Sequence, residues 1–259
     1  MTILILGGTS EAKAICQQLA NIGRPLIYSI AGMVRQPVLS CEVISGGFSQ
    51  YGGLAVWCRR RGVQGIVDAT HPFASRISAS VSAVSIELGI PCWRFTRPLW
   101  QAGPNDNWHE FNHLAELSSF FKASAQASPQ RIFMSVGKLD SRELALFKDH
   151  QLLLVRSAIP LQCILPSSGV WVQAVGPFAV AGELELLRNY AIDAIVCKNS
   201  GGEAVAAKLD AARQLSLPVY MQRRPVLAQG DGRWCTEFST AQALVYAVTQ
   251  KYLTSSLNE

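Results

Sequence analysis

The residues best placed to do chemistry lie in a few short turns. The first is Gly7-Gly8-Thr9-Ser10-Glu11, which follows the apolar run Thr2-Ile3-Leu4-Ile5-Leu6. A strand that turns this sharply into a helix leaves unpaired backbone N–H groups aimed at one small volume, where the helix dipole adds positive potential. Phosphate binds in such places. Gly7 and Gly8 let the main chain approach a pyrophosphate with no Cβ in the way, and Thr9 or Ser10 can cap the helix while donating to the same oxygens. The turn departs from the dinucleotide fingerprint G-x-G-x-x-G, because its third glycine is missing and Ala12 stands near that place. An ordinary βα turn opening a parallel sheet has the same pattern.

Three further turns carry polar groups at strand ends. Asp68-Ala69-Thr70-His71-Pro72-Phe73-Ala74 closes a strand over 65–69; Pro72 suits a first helical turn, with Thr70 or His71 at the cap. That fixes a histidine at a sheet edge, either for chemistry or merely to satisfy the helix start. Lys198-Asn199-Ser200-Gly201-Gly202-Glu203 follows a strand over 193–197 and opens a helix. A cation, an amide, a hydroxyl and two glycines at one helix N-terminus make a cradle for a carboxylate or phosphate. Arg94-Phe95-Thr96-Arg97-Pro98 and Arg223-Arg224-Pro225 each follow a strand, where they could clamp carboxylates or simply carry surface charge.

These turns must be positioned by a βα framework. The first half reads as strand 2–6, helix 10–20, strands near 26–30 and 41–45, helix 50–61, strand 65–69, helix 73–88 and strand 92–95. Alternation of this kind predicts a parallel sheet with helices on both faces. Residues 97–106 then interrupt the pattern with two prolines, a glycine and polar residues, which reads as a linker. The second half repeats the architecture: helix 112–125, strands 131–136, 151–156 and 170–175, helix 181–190, strand 193–197, helix 202–216, strand 218–222 and a last helix at 239–252. The expected fold is α/β, two Rossmann-like doubly wound parallel-sheet lobes with a cleft between them. The expected division is an N-terminal nucleotide lobe over 1–98, a linker over 99–107 and a C-terminal lobe over 108–259.

Composition excludes several classes. The 259 residues, 49% of them hydrophobic, suffice for a sizeable core. No apolar run reaches membrane-spanning length, and the first strand begins at residue 2 without a basic leader, so a cytoplasmic protein is expected. The seven cysteines are scattered without a C-x-x-C pair, which supports neither a disulfide framework nor a metal site. The net charge of +5 suits an acidic small molecule, and the absence of a basic block argues against nucleic acid.

Taken together, the turns resemble the precorrin-6A reductase family of cobalamin biosynthesis, including its cobalt-precorrin-6A branch. The matching stretches are Ile5-Leu6-Gly7-Gly8-Thr9-Ser10-Glu11-Ala12, Ser29-Ile30-Ala31-Gly32, Val67 to Ala74, Arg97-Pro98-Leu99-Trp100, Gly176-Pro177-Phe178, Lys198 to Gly202, and Arg224-Pro225, in family order. Asp68-Ala69-Thr70-His71-Pro72-Phe73-Ala74 is the specific element. One departure is that the family continues Ala-Gly with Arg-Thr, whereas this chain reads Gly32-Met33-Val34-Arg35.

The resemblance implies an NADPH-dependent reductase acting on one double bond of a corrin-ring precursor, a large tetrapyrrole macrocycle bearing many carboxylates, with transient contacts to neighbouring pathway enzymes. The residues agree on the cofactor. NAD sites usually end the second strand with a carboxylate for the ribose, but here Tyr28-Ser29-Ile30-Ala31-Gly32 carries none and Arg35 stands just beyond, which favours NADP. Gly7, Gly8, Thr9, Ser10, Glu11, Ser29, Gly32, Arg35, Thr70 and His71 are the expected cofactor contacts. Arg94, Arg97, Lys198, Asn199, Ser200 and Gly201 are the expected contacts to substrate carboxylates. A histidine at a helix N-terminus prefers its neutral form, so His71 is expected to position nicotinamide or substrate, with the proton coming from solvent or a substrate carboxylate. Two other classes fit less well: a non-catalytic NADP-binding redox sensor, for which the Lys198 turn is superfluous, and a methyltransferase-like tetrapyrrole enzyme, for which no adenosine-pocket signature stands in the sequence.

Overall fold

A computed structural model of the chain describes residues 2–32, 36–124, 128–226 and 235–255. The chain forms two compact units, Met1–Pro98 with Pro225–Glu259, and Leu99–Arg224. In the first unit the short apolar runs become β1 (Thr2–Leu6), β2 (Leu26–Ile30), β3 (Glu42–Ser45), β4 (Val63–Asp68) and β5 (Cys92–Phe95). Between them lie α1 (Ser10–Leu19), α2 (Leu54–Arg60) and α3 (Ser75–Leu88). The second unit carries β6 (Trp108–Phe111), α4 (Leu114–Ala123), β7 (Arg131–Ser135), α5 (Ser141–Ala145), β8 (Leu152–Ser157), β9 (Gly169–Gln173), α6 (Val180–Asn189), β10 (Ala194–Lys198), α7 (Ala207–Gln214) and β11 (Val219–Gln222). The chain then returns to the first unit as β12 (Cys235–Phe238) and α8 (Ala241–Ser255).

Every strand pair is parallel, as the βα alternation requires. The first sheet runs β3-β2-β1-β4-β5-β12 and the second β9-β8-β7-β10-β11-β6. Strand order reverses between β1 and β4 in one sheet and between β7 and β10 in the other, and ligands of such sheets bind outside the carboxyl ends at that switch point. Both sheets are buried on their two faces. Ile3, Ile5, Ile15, Leu19 and Tyr28 pack on one side of the first, Leu4, Leu6, Trp57, Ile66 and Val81 on the other.

The last segment departs from the sequence-based division. β12 pairs with β5 in register from Cys235 opposite Cys92 to Phe238 opposite Phe95, and α8 sets Leu244, Val248 and Tyr252 into the first unit's core. The described residues beyond 224 therefore belong to the first unit, while β6 takes the corresponding edge of the second sheet. Each half of the sequence gives its sixth strand to the other unit's sheet. The predicted linker is likewise built into the second unit: Trp100 packs against its core, and the Gly103 N–H donates to Asp106, which is ion-paired with Arg213. Among the described residues no helix is long and apolar enough to cross a membrane.

Candidate active site

The glycine turn after β1 is shaped from below by Tyr28. A Cβ at Gly7 would lie 2.2 Å from the fully buried Tyr28 ring, so only glycine fits. Gly8 has φ +106°, a left-handed conformation that favours glycine, and its missing Cβ would point into open space. The Gly7 N–H donates to the Ser29 carbonyl at 2.9 Å and the Gly8 N–H to the Tyr28 hydroxyl at 3.1 Å. An anion at this turn would therefore meet the amides of the next residues.

Thr9 is the N-cap of α1, with its hydroxyl accepting the Ala12 N–H. The same hydroxyl donates to the Ala69 carbonyl at 3.0 Å, so it does not donate to a phosphate as expected. The Glu11 carboxylate accepts Ser10 Oγ at 2.8 Å and Arg97 Nη2 at 2.6 Å. Burial pushes its pKa up, but the Ser10 hydroxyl, its own N–H and the Arg97 guanidinium outweigh burial and hold it below the usual carboxylate value. Arg97, expected at the substrate, thus lies beside the glycine turn.

A cavity of about 770 Å³ opens at the carboxyl ends of β1, β2, β3 and β4. It gathers Gly7, Gly8, Ser29, Thr70 and His71 as expected, and adds Gly46, Gly47, Ser49 and Arg76. Three helix starts border it: Gly7-Gly8 before α1, Gly53-Leu54 at α2, and Ala74 to Ile77 at α3. No acidic side chain lines it among the described residues, and Arg76 contributes a cation. Such a lining suits a large anionic ligand. Gly32 lies just past β2, where a Cβ would come within 2.9 Å of Ser45 Oγ. Arg35 lies outside the described residues.

The loop after β4 differs from its expected form. The helix α3 begins at Ser75 with Ala74 at its N-cap, so Thr70 and His71 form a cavity wall and do not cap the helix. The His71 Nδ1 accepts the Phe73 N–H at 3.2 Å, which puts the ring proton on Nε2. Arg94 is a second correction. Its Nε donates to Asp68 at 3.1 Å, and its Nη2 donates to the Ser78 carbonyl and the Ser82 hydroxyl, so it lies buried inside the unit and is not presented to a substrate.

In the second unit Lys198 ends β10, the strand that corresponds in sheet order to β4, and the segment Lys198 to Gly202 leads out of it. It forms a tight turn with Gly201 at φ +65°, followed by a 3-10 turn over 203–205, and α7 starts only at Ala207. The cradle is therefore a loop and not a helix N-terminus. Burial lowers the Lys198 pKa, opposed in part by the Glu143 carboxylate. The Asn199 side chain accepts the Trp100 N–H at 2.9 Å and donates to the Trp100 carbonyl at 3.1 Å. The Asn199 backbone carbonyl accepts Arg224 Nε at 2.8 Å. Asn199 thus fixes both places where the chain enters and leaves the second unit, and its amide is not presented to a ligand. The turn after β7, which corresponds to the Gly7-Gly8 turn, ends in a capping box: Asp140 accepts the Arg142 and Glu143 N–H groups, and Glu143 accepts that of Asp140.

The family model described as precorrin-6x reductase CbiJ/CobK matches residues 2–248 of this chain. The chain belongs to the precorrin-6x reductase family. Similar proteins include precorrin-6A reductase from Rhodococcus erythropolis, 42% identical over 229 residues that cover 87% of this chain and 90% of that protein. Cobalt-precorrin-6A reductase from Priestia megaterium is 27% identical over 271 residues, covering 96% and 98%. Among solved structures, CobK precorrin-6A reductase matches at a TM-score of 0.83 with 34% identity, covering 97% of each chain. Membership of the precorrin-6x reductases makes the chain an oxidoreductase of cobalamin biosynthesis and accounts for two parallel-sheet units.

Sequence reasoning missed Gly46, Gly47, Ser49 and Arg76. The pair Gly46-Gly47 was a legible signal, since it follows β3 as Gly7-Gly8 follows β1. Arg76 carried none, because only its place in the first turn of α3 brings it to the cavity.

Proposed function

We propose that this chain reduces one double bond of precorrin-6A with NADPH, holding the dinucleotide in the first unit and taking substrate carboxylates at the Lys198 turn of the second. One observation carries the cofactor reading: a nucleotide-sized cavity at the sheet's switch point, bordered by three helix starts and Arg76, with no carboxylate in its lining among the described residues. An NAD site would need an acidic group for the ribose where this chain has Ser29. Gly7 and Gly8 would let the pyrophosphate approach and the amides after them would hold it, while Ser29, Gly32, Ser49 and Arg76 serve the adenosine side. Thr70 and His71 would meet the nicotinamide. Bound NADPH supplies the hydride.

The second unit is the substrate's in this reading, because the N–H groups that open the helix after its equivalent of the glycine turn are already taken by the Asp140–Glu143 capping box. Lys198, Ser200 and Gly201 take acetate or propionate groups of the macrocycle, and Arg97 holds Glu11 beside the cofactor. His71 acts by position: its Nδ1 is committed to the Phe73 N–H, and the proton that accompanies the hydride comes from solvent or a substrate carboxylate. Identity is higher to the precorrin-6A reductases than to the cobalt branch, which supports a cobalt-free substrate. The same reading places the enzyme in the cytoplasm, where its seven free cysteines stay reduced, in transient contact with neighbouring pathway enzymes.

The test is a titration followed by turnover. NADPH should bind saturably, seen by its fluorescence, and be consumed when precorrin-6A is added. Binding without consumption would mark a sensor, and no binding would remove the cofactor assignment.

A further inference from the structure

The cavity wall from Ala69 to Ala74 has no helix or strand to hold it, so its shape must be fixed from outside. Thr9 holds the Ala69 carbonyl, and one buried carboxylate holds Thr70. Asp68, only 2% exposed, accepts the Thr70 hydroxyl at 2.7 Å and the Thr70 N–H at 3.3 Å on Oδ1, and Arg94 Nε at 3.1 Å on Oδ2. Arg94 is tied in turn to the Ser78 carbonyl and Ser82 hydroxyl of α3, and lies 3.5 Å from Glu237 of β12. Neither Asp68 nor Arg94 lines the cavity, whereas Thr70 does.

A buried ion pair is weak evidence for stability, because removing two charges from water offsets most of their attraction. This pair instead fixes the chemistry of Thr70. A hydroxyl can donate or accept, but one whose hydrogen is committed to an ionised carboxylate can only accept from anything else. We infer that Asp68, held by Arg94, is a positioning residue that makes Thr70 an acceptor-only group in the cavity wall, selecting a ligand with an N–H donor: the carboxamide of the nicotinamide ring. The inference rests on the reading of this cavity as the NADPH site. It explains why Asp68 and Thr70 stand two residues apart, with Oδ1 within reach of both the backbone and the hydroxyl of Thr70.

The experiment compares NADPH with its reduced 3-acetylpyridine analogue, which keeps the carbonyl but lacks the N–H, in equilibrium binding to the full chain. The unmodified protein should bind NADPH about tenfold more tightly than the analogue, the worth of one good hydrogen bond. Thr70→Val should bind the two alike, and Thr70→Ser should restore the preference. In Asp68→Asn the amide oxygen must face Arg94, which only donates, so the amide N–H turns to the Thr70 oxygen and takes its accepting place, and the preference should also be lost. In case that variant fails to fold, the double variant Asp68→Leu with Arg94→Met replaces the pair by apolar groups, a change that buried pairs tolerate. With its melting temperature retained, it should again bind both ligands alike. Equal binding of both by the unmodified protein, or an unchanged preference in Thr70→Val, would overturn the inference and leave the NADPH reading standing. Failure of the unmodified protein to bind either ligand would overturn that reading and the inference with it.

Discussion

The Tyr28 hydroxyl accepts the Gly8 N–H at 3.1 Å, and its ring fills the space where a Gly7 side chain would stand. The two glycines of the turn therefore serve different ends. Gly7 is demanded by packing from beneath, Gly8 by a backbone conformation on the face that opens to the cavity. Burial raises the Tyr28 pKa, against the opposing Gly8 N–H, so the phenol stays protonated.

Substitutions at the two glycines should fail in different ways. Gly7→Ala overpacks against Tyr28 and should lower stability by about 1–3 kcal/mol in a thermal melt. Gly8→Val places a branched side chain over the cavity and should abolish NADPH binding, with a strain cost of about 1–3 kcal/mol at its positive φ. Retained NADPH affinity in Gly8→Val would place the dinucleotide elsewhere.

Cofactor preference should follow the cavity's charge. NADPH should be favoured over NADH, and Arg76→Ala should weaken NADPH roughly ten- to hundredfold while changing NADH less, as expected for loss of a charge-assisted contact of about 1.5–3 kcal/mol. Arg35→Ala, in the segment outside the described residues, is the companion variant. Equal use of both cofactors by the unmodified enzyme would contradict the assignment.

Lys198→Ala should raise the KM for the tetrapyrrole roughly ten- to hundredfold, with NADPH binding nearly unchanged. Burial lowers the Lys198 pKa below its ordinary 10.5, and only the charged form attracts carboxylates. The tetrapyrrole KM should therefore climb on the alkaline side earlier than an ordinary lysine would dictate, and Lys198→Arg should remove that rise. A loss of NADPH affinity in Lys198→Ala would assign this turn to the cofactor.

Glu11 and Arg97 should show in acid stability. The Glu11 pKa is lowered in the folded chain, so its pairing stabilises fully above the ordinary value of 4.5 and is lost as pH falls through the lowered folded value. Glu11→Gln should flatten the acid limb of a stability curve by less than about 1 kcal/mol, because the carboxylate is partly exposed. An unchanged acid limb would remove the pair from the account.

The returning helix should control the first unit from the far end of the sequence. Leu244 is fully buried in the core cluster that also holds Ile3, Ile5 and Leu19, so Leu244→Ala should destabilise this unit by about 2–5 kcal/mol. NADPH binding should then be lost at a lower temperature than in the unmodified protein. An unshifted melt would contradict the packing of α8 on this sheet.

What the sequence determined by itself was local. Alternating apolar runs and glycine turns specify β1 and β2 within a residue, because five-residue strands buried on both faces are largely apolar and end close to a glycine. The Gly7-Gly8 turn was legible for the same reason. The motif from Asp68 to Ala74 was legible as a motif, but its chemistry was not. Whether Asp68 holds Thr70, and whether Arg94 meets a substrate or that carboxylate, depends on β4 and β5 lying side by side with Asp68 opposite Arg94. β6 and β12 are four-residue edge strands with mixed polarity, which carry almost no periodic signal. Their exchange between sheets is decided by partners more than a hundred residues away, such as Cys92 for Cys235 and Tyr220 for His109. Short-range patterning fixes which residues form an element. Only the closing of distant strands into one sheet decides which charges find each other, and hence which are left to face a ligand.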